Sequence, residues 1–429
     1  MMLQKLRSLA SQARSDLALA PLLRACRQLL SERGQASVYA LSQQVLSQYA
    51  DLPPGQRTAF FAALATEFAP DPAEVLAAAT RFAASPTAGS LAELTRAVEP
   101  PRQELLRRIN RAPGGTAALL AMRCHLLDAT KANPELAAVD ADFLHLLASW
   151  FNPGFLRLER VDWQSSAVLL EKIIRHEAVH EITGWDDLRR RLQPDRRCYA
   201  FFHPTLGDEP LIFVEVALLD DIPTAIAPLI ETPPAQQLPA SARTAVFYSI
   251  SNCQPGLRGV SLGNFLIKKV AEQLGSELPQ LRTFCTLSPV PGFSRWLTGP
   301  AVRELDPEWR EPLARVLEWR QAHGEVKASD LEQMPEPLQQ DLSGLCARYL
   351  VRHSHGPCAD PVARFHLDNG ARLERVNFAA DLSRKGLRQS VGLMVNYLYD
   401  LSNVEKRHQQ FVDGEVSHAP GVRRLLRAR

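Results

Sequence analysis

At 429 residues the chain is too long for one ordinary core, and a hydrophobic content of 46% with 22% charged residues fits a folded protein of two domains. Lys+Arg 49 against Asp+Glu 47 gives a net charge of +2, which excludes the broad basic face of a nucleic-acid binder. Seven cysteines, Cys26, Cys124, Cys198, Cys253, Cys285, Cys346 and Cys358, form no C-x-x-C pair, so neither a zinc ribbon nor a disulfide framework is indicated. No run approaches the roughly 18 apolar residues of a membrane helix. Lys5, Arg7 and Arg14 interrupt the first stretch, against a secretory signal though less against a degenerate transit peptide, and the expectation is a cytoplasmic protein without a membrane or nucleic-acid partner.

Residues 1–150 are rich in Ala, Leu, Arg and Glu with apolar positions at helical spacing, as in Leu119, Leu126 and Leu127. This predicts an all-helical N-terminal bundle, broken at Pro53-Pro54-Gly55, Pro70-Asp71-Pro72, Pro100-Pro101 and Pro113-Gly114-Gly115, with a scaffold or oligomerisation role. Residues 151–429 change texture. Strands are predicted at Tyr199 to His203, Leu211 to Leu218, Thr244 to Ser251 and Leu281 to Leu287, with a helix at Val260 to Leu274 interleaved and a loop at Pro233 to Pro239. Strands alternating with helices indicate a mixed α/β layer structure. A last helix is expected over Leu393 to Tyr399.

Two motifs carry familiar chemistry. His176-Glu177-Ala178-Val179-His180 matches the H-E-x-x-H zinc pattern, which requires both imidazoles on one helix face. Asp186 sits at a possible third-ligand position, but the glycine that would turn the chain toward it is Gly184, one place late, with Thr183 in its slot, and the reading is a surface helix with His176 exposed and no metal. Gly259-Val260-Ser261-Leu262-Gly263 matches the G-x-S-x-G elbow, but the strand ends near Ser251, too early for a nucleophile at a strand-to-helix turn. The same glycine-rich stretch between strand and helix suits a phosphate, because small residues admit an anion close to backbone N–H groups.

Arg258-Gly259-Val260-Ser261-Leu262-Gly263 resembles the pyrophosphate loop of acetyl-CoA-dependent N-acetyltransferases, with Ser261 where a glycine is usual. Around it stand Phe201-Phe202-His203-Pro204, Asp208 to Leu218, Leu287-Ser288-Pro289-Val290-Pro291-Gly292-Phe293 and Phe365-His366-Leu367-Asp368-Asn369-Gly370. In this order the set resembles the malonyl-CoA decarboxylase family from about Asn133 to Asp400. The resemblance implies a helical domain followed by an acetyltransferase-like (GNAT) mixed sheet with flanking helices, a homo-oligomer (dimer or tetramer), and conversion of malonyl-CoA to acetyl-CoA and carbon dioxide. It places the family's paired catalytic residues on Ser288 and His366. Its acyl-CoA loop falls on Arg258, Gly259, Val260, Ser261, Leu262, Gly263 and Asn264. Some relatives carry Glu at the position of Ser261, so no acid/base role is transferred there.

Loss of carbon dioxide from a malonyl thioester leaves a carbanion that the thioester carbonyl accepts as an enolate, so the substrate supplies its own electron sink and no cofactor is required. His366 is assigned as proton donor and Ser288 as its hydrogen-bonding partner. The plain alternatives are a turn hydroxyl for Ser288 and a core histidine on a strand for His366. Tyr399 and Asn396 are candidates to reach the site, and Lys268 and Lys269 to meet phosphates. Cys253 and Cys285 are expected to be buried thiols. The competing functions are a GNAT-type N-acyltransferase and a non-catalytic acyl-CoA sensor.

Overall fold

The computed structural model describes residues 19–231, 241–260, 262–300, 302, 306–356 and 359–427, with the backbone alone at 263–265. The predicted loop at Pro233 to Pro239, and Ser261 and Cys358, lie outside the described residues. Internal contacts divide the chain into two compact units, one of residues 1–156, 203–209 and 254–261, the other of residues 157–202, 210–253 and 262–429.

The first unit is helical. Pro54, Pro72 and Pro101 each open a helix (Pro54–Thr66, Pro72–Ala84, Pro101–Asn110), where the missing N–H costs nothing and the fixed φ favours the first turn. Asp71 caps the second of these by accepting from the N–H of Ala73 and Glu74. Phe60, Phe61, Leu105, Ile109, Leu119, Leu126 and Phe143 bury the shared core. Arg123, 1% exposed, pairs with Asp140 at 2.8 Å and donates to the carbonyl of Gly256 at 2.8 Å, which fixes the start of the glycine-rich segment within this unit.

The second unit is built on an eight-stranded mixed sheet. Its strands are β1 (Arg157–Val161), β2 (Arg196–Phe202), β3 (Pro210–Leu219), β4 (Thr244–Asn252), β5 (Thr283–Thr286), β6 (Ser288–Pro289), β7 (Arg372–Asn377) and β8 (Met394–Tyr399). The order runs β1-β2-β3-β4-β5-β8-β6, with β7 on the other flank of β8. Among the eight described strands only β4 and β5 pair in parallel, and the helix Gly263–Glu277 connects them, as parallel neighbours require. That helix buries Leu266, Ile267, Val270, Ala271 and Leu274 at the spacing of one face. The expected helical domain and mixed sheet with flanking helices are both present.

The β4–β5 ladder ends at Phe247↔Thr286, and Leu287 adds one last bond to the carbonyl of Phe247 at 3.1 Å. Beyond it β4 continues beside β3, while Ser288 pairs with Val395 of β8. The sheet therefore parts at this point, and Ser288 is the first residue past the parting.

Three local expectations are corrected. Residues 394–399 form a strand, not a helix: a short apolar run has no decisive period, and pairing with β5, β6 and β7 captures it. His366 sits on a helix, Pro361–Asp368, because Asp360 and Pro361 start one there. The helix predicted from Val260 begins at Gly263.

Gly256 packs directly on the helix Gly115–Ala129, where an added Cβ would lie 2.4 Å from the carbonyl oxygen of Leu120. Gly256→Ala should lower stability by about 1–3 kcal/mol through overpacking. A denaturation midpoint unchanged from that of the parent chain would contradict this.

Candidate active site

Ser288 and His366 meet. Ser288 Oγ lies 3.0 Å from His366 Nε2, although 78 positions separate them in the chain. Both are buried, at 5% and 3% exposure. The strand expectation for His366 gives way to a helix whose buried residues Ala363, His366 and Leu367 form one inward stripe. The helix stops at Asn369-Gly370, where Gly370 takes φ +72 and an added Cβ would lie 2.2 Å from the carbonyl oxygen of Val404.

The surrounding hydrogen bonds select one tautomer. Ser288 Oγ donates to Thr286 Oγ1 at 2.9 Å, and a hydroxyl has only one proton, so Ser288 accepts from His366 Nε2–H. His366 Nδ1 is then an acceptor, and Tyr399 Oη–H donates to it at 2.8 Å. Thr286 Oγ1 also accepts from the N–H of Tyr397 at 3.2 Å, so the hydroxyl row ends on the backbone of β8. The ring of Tyr397 stacks on the imidazole, centroids 4.7 Å apart and planes at 27°.

Burial sets the charge of this group. The His366 imidazole is pushed down to about 3 by desolvation alone and is neutral at physiological pH. Burial also raises the Tyr399 and Tyr397 phenols well above their usual range, so both stay protonated.

Asn396 reaches the site through the backbone. On a helix, positions 396 and 399 would share a face; on β8 they point to opposite sides, and Tyr397 and Tyr399 share the side facing His366. Asn396 Nδ2 donates to the carbonyl of Thr286 at 2.9 Å, and its Oδ1 accepts from Asn377 at 2.8 Å and from Arg375 Nε at 3.1 Å.

The other sequence candidates fall as follows. Arg258 and Gly259 are exposed, and Gly259 adopts φ +87, a conformation that suits glycine. Val260 is half-buried and Leu262 buried; Gly263 opens the helix, and Ser261 and the Asn264 side chain lie outside the described residues. Lys268 and Lys269 are exposed and stand 3.8 Å from Glu405 and Glu272. Cys253 and Cys285 are buried, and burial pushes the Cys285 thiol up to about 12.

The H-E-x-x-H pattern comes apart at its centre. The helix Ala167–His176 ends on its first histidine, and Glu177 is already extended (φ −63, ψ 112), so His176 and His180 share no helix face. His176 is half-buried and not the exposed helix residue expected. Glu177 instead anchors the turn, accepting from Ser249 Oγ at 2.8 Å, Ser251 Oγ at 3.1 Å and the N–H groups of Val179 and His180 at 2.8 Å.

Comparison with known proteins decides the family. Residues 154–429 match the model of the malonyl-CoA decarboxylase C-terminal domain, and residues 68–151 that of the malonyl-CoA decarboxylase N-terminal domain. The chain belongs to the malonyl-CoA decarboxylase family. A solved malonyl-CoA decarboxylase from Rhodopseudomonas palustris is 49% identical with a TM-score of 0.86, the match covering 95% of this chain and 99% of that one. One from Agrobacterium vitis is 46% identical with a TM-score of 0.84, covering 94% and 99%. The mitochondrial malonyl-CoA decarboxylase of Anser anser anser is 38% identical over 331 residues, covering 71% of this chain and 65% of the goose protein, so the chain spans just under two thirds of that relative.

Thr286, Tyr397 and Asp360 went unnoticed in the sequence. Thr286 was accessible by strand alternation, two positions before Ser288, and Asp360 by the Asp-Pro start of a helix. Tyr397 was hidden by the helical reading of its strand.

Two outcomes follow from this geometry. Thr286→Val removes the acceptor of Ser288 without changing side-chain shape, and should lower kcat about tenfold or more at little change in KM, with Thr286→Ser restoring most of it; equal kcat in all three proteins would refute the hydroxyl row. The second concerns stability. Because His366 binds its proton in the unfolded chain near pH 6.5 but in the folded one only near 3, its contribution is complete above 6.5 and is lost as the pH falls toward 3. Denaturant titrations from pH 7 to 4 should show a steeper loss in the parent than in His366→Gln, by up to about 1.4 kcal/mol per pH unit; parallel curves would contradict the buried neutral imidazole.

Proposed function

We propose that the chain is a carboxy-lyase that converts malonyl-CoA to acetyl-CoA and carbon dioxide without a metal or organic cofactor, with Ser288 and His366 as its catalytic pair. The observation that carries the reading is the 3.0 Å contact between Ser288 Oγ and His366 Nε2, at the point where the sheet parts.

In the reaction the bond from C2 to the carboxylate carbon breaks, its electron pair moves to the thioester oxygen as an enolate, and C2 then takes a proton. A neutral pair suits the first step. An imidazolium beside the malonyl carboxylate would stabilise the ground state more than a transition state whose charge has moved to the thioester oxygen. For the second step, the Ser288 hydroxyl proton passes to C2 while His366 Nε2–H replaces it. The Tyr399 hydroxyl supplies Nδ1 in the same movement, and solvent later restores the phenol. The transfers from His366 to Ser288 and from Tyr399 to His366 run along existing hydrogen bonds.

Arg258, Gly259, Val260, Ser261, Leu262, Gly263 and Asn264 hold the coenzyme A pyrophosphate. In support, Arg258 is exposed and the positive φ of Gly259 leaves the backbone open to an anion. The helical residues 1–150 serve as the scaffold of a homo-oligomer. The protein works in the cytoplasm, as befits relatives from bacteria, which have no mitochondria.

Incubation of the purified chain with malonyl-CoA, followed by mass analysis, should give acetyl-CoA and carbon dioxide in equal amounts. Ser288→Ala and His366→Ala should each lower kcat by about 100-fold or more. Acyl transfer to an amine without carbon dioxide release would mark an N-acyltransferase, and tight binding without turnover a sensor. Activity surviving in both variants would remove the pair from the mechanism.

A further inference from the structure

We infer that Asp360 is a positioning residue that sets the distance between Ser288 and His366, by tying the turn after Ser288 to the helix that carries His366; the inference rests on the catalytic reading of that pair.

The side chain is 1% exposed and uses its two oxygens on two segments. Oδ1 accepts from the N–H groups of Val362 at 3.0 Å and Ala363 at 3.1 Å, capping the helix Pro361–Asp368. Oδ2 accepts from the N–H of Gly292 at 2.9 Å, across 68 positions of chain. Both links are short and stiff. Pro289 and Pro291 restrict the segment between Ser288 and Gly292, and less than two helical turns separate Asp360 from His366. A shift at the carboxylate therefore moves the serine against the histidine and is not absorbed between them. Gly292 is fitted to this contact: an added Cβ would lie 2.2 Å from Tyr349 Oη and 3.1 Å from Asp360 Oδ2. Capping alone does not require the second oxygen, since a serine or asparagine caps as well.

Asp360→Asn keeps an oxygen for the helix but sets an amide N–H2 against the N–H of Gly292, and Asp360→Ser caps without reaching Gly292. Both should lose kcat by about 10- to 100-fold at nearly unchanged KM for malonyl-CoA, measured well below their melting temperatures. Gly292→Ala, which disturbs the same contact from the other side, should show the same split. Ser383→Ala removes a cap of similar kind from the helix Arg384–Ser390, where Ser383 Oγ accepts from Gly386 N–H. It should lower Tm while leaving kcat intact. Asp360 variants with parental kcat, or with a loss matching that of Ser383→Ala at equal Tm, overturn the inference. Ser288→Ala and His366→Ala, assayed alongside, separate that result from a failure of the catalytic reading, which would leave those two variants active.

Discussion

The site depends on the seating of β8 between two flanks of the sheet. On one side it pairs with β5 and then with β6, so that Ser288 stands opposite Val395; on the other it pairs with β7, so that Asn377 stands opposite Met394. From the same strand Tyr397 and Tyr399 project toward His366, one beneath the ring and the other onto Nδ1. A single six-residue strand thus fixes the register of the serine and two faces of the histidine. Register in a strand buried on both sides is strongly specified, because a slip of one residue would exchange Tyr397 and Tyr399 for Asn396 and Leu398.

Among the described residues, the chain hydrogen-bonds Ser288 and His366 to neutral groups. Its buried ion pairs lie elsewhere: Arg191 holds Glu215 at 2.9 Å, and Arg123 holds Asp140 in the helical unit. Ser288 and His366 bond to each other and to the hydroxyls of Thr286 and Tyr399, while the buried carboxylate of Asp360 is held by backbone N–H groups. Neutral groups with matched hydrogen bonds lose less on burial than ions do, so the pair can be desolvated without a compensating charge. The same burial that lowers the affinity of His366 for a proton suppresses an imidazolium that would, in the proposed reaction, trap the malonyl carboxylate.

Much of the architecture was readable because it rests on local signals. The helical first part, the strands β2 to β5 and the turn to the glycine-rich loop follow from periodicity and from Gly and Pro. The meeting of Ser288 with His366 was not, since two residues 78 positions apart are joined only by tertiary packing; the family resemblance supplied it. The run Met394 to Tyr399 misled because its apolar residues satisfy either period, and the choice is made by partners on both edges. His176-Glu177-Ala178-Val179-His180 failed for the opposite reason: a good local pattern is overridden when Ser249, Ser251 and two backbone N–H groups converge on Glu177 and end the helix.

In the proposed decarboxylation the malonyl thioester provides the electron sink, which leaves geometry as the protein's main contribution. That adds the residues that position Ser288 and His366 to the sensitive ones. The binding determinants assigned to coenzyme A lie in one continuous segment, Arg258 to Asn264, whereas the dyad is assembled from a strand edge and a helix joined only by hydrogen bonds. Under the proposed function, uniform binding and transition-state alignment are therefore carried by different parts of the chain, and the anchors Thr286, Asn396 and Asp360 belong to the second.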